Sequence, residues 1–455
     1  MARDVTAIRS VQRGHTPNCS SAGSVVGLAL LSVVGCAVVV NAWADRFFAR
    51  LDGKPRAPEA PEGGPPDPPQ AVSFFVRPST VRARREVGGA IVAMTDPPAL
   101  LHVDEAVADR VGAQWRGAPV PGALTAPTEV HVAVTARCPV RCTACYLDAG
   151  PEVARGDPKG LDAVLEQLAR AGVFEVAFGG GEALARADLV ELAATARRLG
   201  LVPNVTTSGV GLTAALAARL AAVCGQINVS LDGLGPYYEA VRGWDGAAVA
   251  LAAIDTLRAA GARVGVNTVI CSKNLDHLPD LALALAARGV TDWTWLRLKP
   301  SGRGAAAYAD LVVDPERMLE LLPLALDFEQ RGLAVRFDCA LVPFLVAHGP
   351  PVEALARLGV RGCPGGHSLL AVDTEGRLAP CSFAVGSAAA SVAEGWRDDP
   401  TLRAWRDRAA APPEPCASCE ARAICRGGCR IVAEHLTGDP LAPDPECPRV
   451  RRWAA

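Results

Sequence analysis

The sequence lacks an excess of charge of either sign. Across 455 residues it sets 46 Lys and Arg against 48 Asp and Glu, for a formal net charge of −2. A protein held to nucleic acid by phosphate contacts needs a cationic surplus, so no nucleic-acid partner is expected. Histidine is scarce, with seven residues. Long apolar runs are missing too, with one exception. Val25 to Val40 runs apolar and Asn41 to Ala44 extends it, about the ~20 residues of a membrane-spanning helix. Arg3, Arg9 and Arg13 precede this run; Arg46, Arg50, Lys54 and Arg56 follow it. That balance slightly favours a cytoplasmic C-terminal side. The expectation is a transmembrane helix at about 24–44, serving as a membrane anchor. The alternatives are a signal peptide ending near Ala42-Trp43-Ala44 and a start codon assigned too early, which removes residues 1–70.

What is present begins with size and sulfur. Half of the residues are apolar, and this length accommodates two or three domains. The fifteen cysteines include ten in two tight patterns. Disulfides need no such spacing, whereas zinc and iron–sulfur sites do. The reading is therefore reduced thiolates, with the catalytic domains on the cytoplasmic side.

Leu51 to Gln70, rich in Pro, Gly and charge, reads as a linker. A small α+β module follows over 71–125. In it, strands Glu86–Val92 and Leu100–Val103 flank a Thr95-Asp96-Pro97-Pro98 turn, and Asp104 caps a short helix. From Glu129 strands and helices alternate. Strands are expected at Val130–Val134, Val173–Phe178, Val202–Thr206, Ile227–Leu231, Val264–Val269 and Trp293–Leu298. This order predicts an α/β fold, a partial (β/α)6 TIM-like barrel over 126–338 with chemistry at the C-terminal strand edges. Beyond Asp338 the chain turns to loops, Gly, Pro and Cys, a separate loop-rich segment over 339–455.

Directly after the first barrel strand comes Cys138-Pro-Val-Arg-Cys142-Thr-Ala-Cys145-Tyr146. Three thiolates on one loop suit three irons of a cubane and leave the fourth iron open; a closed structural site wants a fourth ligand nearby. This CxxxCxxC spacing resembles the signature of the radical S-adenosylmethionine (SAM) superfamily. The resemblance implies a 4Fe-4S cluster on Cys138, Cys142 and Cys145. It also implies SAM on the open iron and reductive cleavage to a 5′-deoxyadenosyl radical. It extends to Gly179-Gly180-Gly181-Glu182, which matches the superfamily's GGE motif and implies contact with the SAM amino group. By the same resemblance Ser230 and Asn267 are candidates for the SAM ribose edge, Arg303 for its carboxylate and Tyr146 for packing beside the adenine or cluster. The plain alternatives are a zinc knuckle at the cysteines and a Ser–Asp turn at Ser230.

The C-terminal segment places Cys363, Gly376 and Cys381 ahead of Cys416, Cys419, Cys425 and Cys429, and ends on Cys447. This resembles the SPASM domain that follows many radical SAM cores and usually carries two auxiliary four-iron clusters. The resemblance implies one cluster on Cys416, Cys419, Cys425 and Cys447. It implies another on Cys363, Cys381 and Cys429, for which Cys339 is the candidate eighth ligand. Taken alone, the x2–x5–x3 run also fits zinc. One position departs from the pattern: sulfatase-maturating enzymes carry an Asp directly after the second SPASM cysteine as a base, and here it is Ser382. Asp232, Asp338 and Glu182 are candidate proton handlers. His131 is expected to be structural, and His367 is a candidate near the cluster. Cys224 and Cys271 read as core residues.

The function expected is SPASM-type radical chemistry on a peptide or protein, giving a thioether, a carbon–carbon crosslink or side-chain oxidation. A reductant such as ferredoxin or flavodoxin would supply electrons. The 71–125 module resembles a truncated peptide-recognition module; the alternative is a cap on the barrel. Two other readings stand beside this one: modification of a small molecule such as a tetrapyrrole or quinone cofactor precursor, and a non-catalytic iron–sulfur or zinc scaffold.

Overall fold

The computed structural model describes residues 37–39, 81–95, 98–152, 157–357 and 360–454. In chain order its strands are β1 (Ala37–Val39), β2 (Val81–Glu86), β3 (Gly89–Thr95), β4 (Pro98–Val103), β5 (Glu129–Thr135), β6 (Glu175–Gly180) and β7 (Val202–Thr207). They continue with β8 (Ile227–Ser230), β9 (Val264–Ile270), β10 (Asp292–Arg297), β11 (Ala334–Asp338), β12 (Leu369–Val372) and β13 (Leu378–Ala379).

All six expected barrel strands are present as β5 to β10, each parallel to the next. The alternation in β5 explains why. Val130, Val132 and Val134 are buried with Leu161, Leu165 and Leu168 of the helix Leu161–Ala171. His131 and Ala133 fall on the opposite, cavity-facing side, as the period of two requires. The carboxyl ends of all these strands therefore share one rim.

Four strands, β1, β11, β12 and β13, widen this sheet beyond the expected six. β11 adds in parallel beside β10, packing Phe337 edge-on to Trp295 at 5.5 Å. β12 adds in parallel beside β5, and its hairpin partner β13 follows. The hairpin turns at Gly376, which has φ +79°, and Asp373 Oδ1 accepts from the Glu375 and Arg377 amides. A strand from beyond residue 338 is thus hydrogen-bonded into the barrel sheet.

The small module differs from expectation in one place. The strand expected over Glu86–Val92 is broken by a Val87-Gly88 turn, with Gly88 at φ +81°. The result is a three-stranded antiparallel sheet, β2–β3–β4. Asp104 caps the helix Glu105–Arg110 by accepting from the Val107 amide at 2.9 Å. The module sits against the amino ends of the barrel strands. Buried Arg84 donates to the Ala126, Pro127 and Gly172 carbonyls and pairs with Glu86 at 2.7 Å. Arg82 donates to Val173 and Gly200. The β2–β3–β4 sheet therefore lies at the end of the barrel opposite the carboxyl-edge rim.

The expected membrane-spanning helix needs correction. Ala37–Val39, inside the apolar run, is a strand antiparallel to Arg336–Asp338 of β11. Extended backbone rises 3.2–3.4 Å per residue against 1.5 Å in a helix, so no continuous helix crosses that stretch. Among the described residues no helix is long and apolar enough to cross a membrane. The rest of the run, the linker, Cys19, Cys36 and the Asp96-Pro97 turn lie outside the described residues.

Removing one member of a buried charge pair leaves the other uncompensated, at a cost of about 3–5 kcal/mol. Arg84→Met is expected to lower the thermal unfolding midpoint and expose the 126–128 segment to protease; limited proteolysis at matched temperature checks this.

Candidate active site and cluster sites

The rim holds a cavity of about 330 Å³. One wall is the cysteine loop that follows β5. The loop is fixed from two sides. On the β6 side, the Gly181 amide donates to the Thr135 carbonyl at 2.8 Å and the Glu182 amide to the Arg137 carbonyl at 2.9 Å. A Cβ on Gly181 would lie 2.2 Å from the Arg137 oxygen, so a side chain at Gly181 would push the loop away. On the other side is Arg303, whose guanidinium donates to the Cys142 carbonyl (2.9 Å), Asp148 Oδ1 (2.6 Å) and the Ala149 carbonyl (2.7 Å). Arg303 was expected to meet the SAM carboxylate. Here it braces the loop and does not line the cavity.

Cys138, Cys142 and Cys145 all line the cavity. Burial pushes the Cys138 thiol up to about 11. Arg242 Nη1 lies 3.9 Å from Cys142 Sγ, and its Nε is paired to Asp232. Ser230 and Asn267 are register partners on β8 and β9, and both line the cavity. Among the described residues Asn267 Oδ1 is buried without a hydrogen-bond partner, an acceptor left for a ligand. Gly179, Gly180 and Tyr146 also line it; the Tyr146 ring lies 5.0 Å from that of Phe383, and burial raises its phenol.

The three candidate proton handlers are buried, and their carboxylates are occupied. Glu182 accepts from Thr207 Oγ1, the Ser208 amide and hydroxyl, and the Leu184 amide. Asp232 accepts from the Val269 amide and Arg242. Asp338 accepts from Lys299 and the Ala340 amide. The cavity instead presents a pair that sequence reading set aside. Ser382 Oγ lies 2.9 Å from His131 Nδ1, and Glu129 Oε1 lies 3.2 Å from His131 Nε2. Burial, and then the Glu129 charge, push the neighbouring Glu175 carboxyl well above its ordinary range. His367 is elsewhere: its Nδ1 is bonded to the Gly122 carbonyl at 2.7 Å, and burial lowers it to about 4.

The C-terminal thiols fall into two groups, read from which thiol charges act on which. Burial raises Cys381, and next to it Cys363, Cys429 and Cys339 act in the same direction. Burial likewise lifts Cys429 to about 12, with Cys339 again a neighbour. Separately, burial raises Cys425, beside Cys447 and Cys416, and Cys416 has Cys419 beside it. Four of these thiols, Cys339, Cys363, Cys381 and Cys429, line the cavity. Each group also carries an arginine with unanswered hydrogens. Arg430 Nε and Nη1, and Arg408 Nη1 and Nη2, are buried without partners among the described residues. Arg430 acts on Cys363 and Arg408 lies beside Cys416. Such donors fit the sulfurs of an iron–sulfur cluster. Among the described residues no three His, Cys, Asp or Glu side chains converge to hold a single metal ion; a cubane asks for thiolates on separate irons. Cys224 and Cys271 stand apart, and burial raises each to about 12.

Comparison with known proteins agrees with this geometry. The family model described as the radical SAM superfamily matches residues 132–285. Over 344 residues the chain is 34% identical to the mycofactocin maturase MftC of Mycobacterium ulcerans, covering 71% of this chain and 88% of that one. The chain belongs to the radical SAM superfamily. This radical SAM enzyme is also 33% identical to the PqqA peptide cyclase of Gluconobacter oxydans, over 70% of this chain and 90% of that one. In fold it matches Streptococcus suis SuiB, solved with its precursor peptide SuiA. The TM-score is 0.65 at 16% identity, covering 81% of this chain and 99% of that one. Membership implies SAM and an iron–sulfur cluster as cofactors.

Arg303→Gln removes the bracing of the cysteine loop without touching a thiol. Iron content after anaerobic reconstitution is expected to fall by up to about four per chain; iron and sulfide assays read this directly.

Proposed function

We propose that this radical SAM enzyme matures a peptide or protein, drawing a hydrogen atom from an unactivated C–H bond inside the rim cavity. The observation that carries the reading is the continuity of that cavity. Its wall includes Cys138, Cys142 and Cys145 at one end and Cys339, Cys363, Cys381 and Cys429 at the other. A substrate between them faces both sets of thiols at once. The PqqA peptide cyclase, by its name, acts on a peptide, which supports this substrate class.

In this reading Cys138, Cys142 and Cys145 would hold the cluster, which together with SAM would supply the 5′-deoxyadenosyl radical. Ser230 and the unpartnered Asn267 Oδ1 hold the ribose, Tyr146 packs beside the adenine, and Gly179, Gly180 and Gly181 let SAM approach the backbone. Glu182, held by four donors, fixes the motif's end. Cys339, Cys363, Cys381 and Cys429 hold one auxiliary cluster, and Cys416, Cys419, Cys425 and Cys447 the other. Residues 126–338 act as the radical core and 339–455 as the auxiliary-cluster segment, with 71–125 as a cap. A ferredoxin or flavodoxin is the reductant.

Ser382 stands where the sulfatase-maturating enzymes carry their Asp, and it is hydrogen-bonded to His131. With Glu129 accepting from Nε2–H, His131 Nδ1 is the acceptor for the Ser382 hydroxyl proton. Ser382 thereby relays a substrate proton to the imidazole, and Glu129 stabilises the resulting cation.

Two measurements test this. Reconstituted protein is expected to hold about twelve irons with matching sulfide; about four irons plus stoichiometric zinc would remove the auxiliary clusters. Co-expression with a short peptide encoded beside this protein is expected to change the peptide's mass. In that assay His131→Gln should lower product formation by about 10²-fold or more while 5′-deoxyadenosine release continues. A His131→Gln variant that matures the peptide at the normal rate would rule out the relay.

A further inference from the structure

Lys299 is a buried cation that none of the roles above employs. It follows β10, is 8% exposed and lines the cavity. Its ammonium pairs with Asp338, donates to the Arg297 carbonyl at 3.3 Å and lies 4.7 Å from the centre of the Phe383 ring. Asp338 is itself tied to the backbone through the Ala340 amide, which fixes the ion pair in place. Among the charges acting on the Cys429 thiol, Lys299 is the largest; Cys339 and Cys429 in turn act on Lys299. Arg430 adds a second cation on the same side, with Nε and Nη1 unpartnered.

The other thiol group has a cation of its own, Arg408 beside Cys416. The Asp444 carboxylate opposes it at Cys416 and Cys447, and also acts on Cys429, from whose amide it accepts at 2.9 Å. Arg297 acts on Cys429 as well and is paired with Asp444 at 2.6 Å and Glu446 at 2.8 Å. Lys299 lines the cavity together with the Cys339, Cys363, Cys381 and Cys429 thiols, and Arg408 does not.

We propose that Lys299, fixed by Asp338, raises the reduction potential of the cavity-side cluster. The inference rests on the cluster assignment proposed above. One-electron reduction adds one negative charge to a cluster, with no bond made or broken and no proton taken up. A fixed cation lining the same poorly solvated cavity stabilises that added charge, and local charge is a recognised determinant of iron–sulfur potentials. The cavity-side cluster, whose thiols line the cavity, is thereby made a better acceptor for an electron from the substrate radical. Lys299 acts through the cluster and contacts no substrate.

The test is a dithionite redox titration of the full-length reconstituted enzyme, followed by low-temperature electron paramagnetic resonance. The signal that changes on adding SAM belongs to the Cys138, Cys142 and Cys145 cluster and is set aside. The signal lost in Cys381→Ala marks the cavity-side cluster. Lys299→Met is expected to shift that cluster's reduction equilibrium at least tenfold toward the oxidised form, a fall of 59 mV for one electron, and to leave the other auxiliary signal in place. Lys299→Arg should stay near the parent value. Asp338→Asn should move the same signal in the opposite direction, which a mere loosening of the site would not do. It also decides the matter if the Met variant fails to load iron. An iron count of about four in the parent protein would mean the cluster assignment is wrong. Twelve irons with no shift, or with both auxiliary signals moving together, would overturn the role of Lys299 alone.

Discussion

The catalytic rim depends on one short backbone contact between the ends of β5 and β6. Thr135 and Arg137 present their carbonyls to the Gly181 and Glu182 amides, at a separation that leaves no room for a Cβ at residue 181. The cysteine loop leaves β5 at this point. Its starting direction is therefore set by the second strand, and Arg303 from beyond β10 completes the constraint with three carbonyl and carboxylate contacts. A loop so held can present three thiols to one side without a fourth. Orientation is achieved by backbone hydrogen bonds, which carry no charge into the cavity.

Charge enters the site by other routes, and nearly every charge is matched. Burying a carboxylate without partners costs far more than any single contact returns. Glu182 is accordingly surrounded by donors, Asp232 by Arg242, and Asp338 by Lys299. The thiols are the exception. Burial raises most of them above the range where a free cysteine ionises, as for Cys138 and Cys429. Their thiolate forms become favourable only beside a compensating charge, which bound iron would supply. The unanswered hydrogens of Arg408 and Arg430 tell the same story from the donor side.

How much of this was legible beforehand varied with the range of the interaction. The six parallel strands announced themselves through local alternation, as in Val130, Val132 and Val134, and the GGE and CxxxCxxC motifs fell on the rim because they directly follow strands. β11 went unseen: Ala334–Asp338 is five residues with an Arg and an Asp among them, too short and too polar to stand out. The pairing of β12 with β5 joins residues some 240 apart (Leu369 with Glu129), and no local pattern reports that. Arg303 and Lys299 look alike as rim cations in sequence, yet one faces the loop backbone and the other the cavity. The apolar run near residue 40 misled because length and hydropathy describe a helix and an inserted strand equally well, and only the partner, β11, distinguishes them.

The pairing of β12 with β5 also explains how one chain brings two sets of thiols to a single cavity. If the cysteine-rich segment were joined to the barrel only by a flexible tether, its thiols would sample many positions relative to the rim. Instead Leu369 to Val372 extends the barrel sheet in register with Glu129 to Val132, and the tight turn at Gly376 returns the chain directly to Cys381 and Ser382. The residue after that cysteine is thereby delivered to His131, which belongs to the strand that launches the CxxxCxxC loop. Strand β5 thus positions one set of thiols from its carboxyl end and the other through its neighbouring edge. The spacing between the two sets is inherited from sheet geometry, about 4.8 Å per strand.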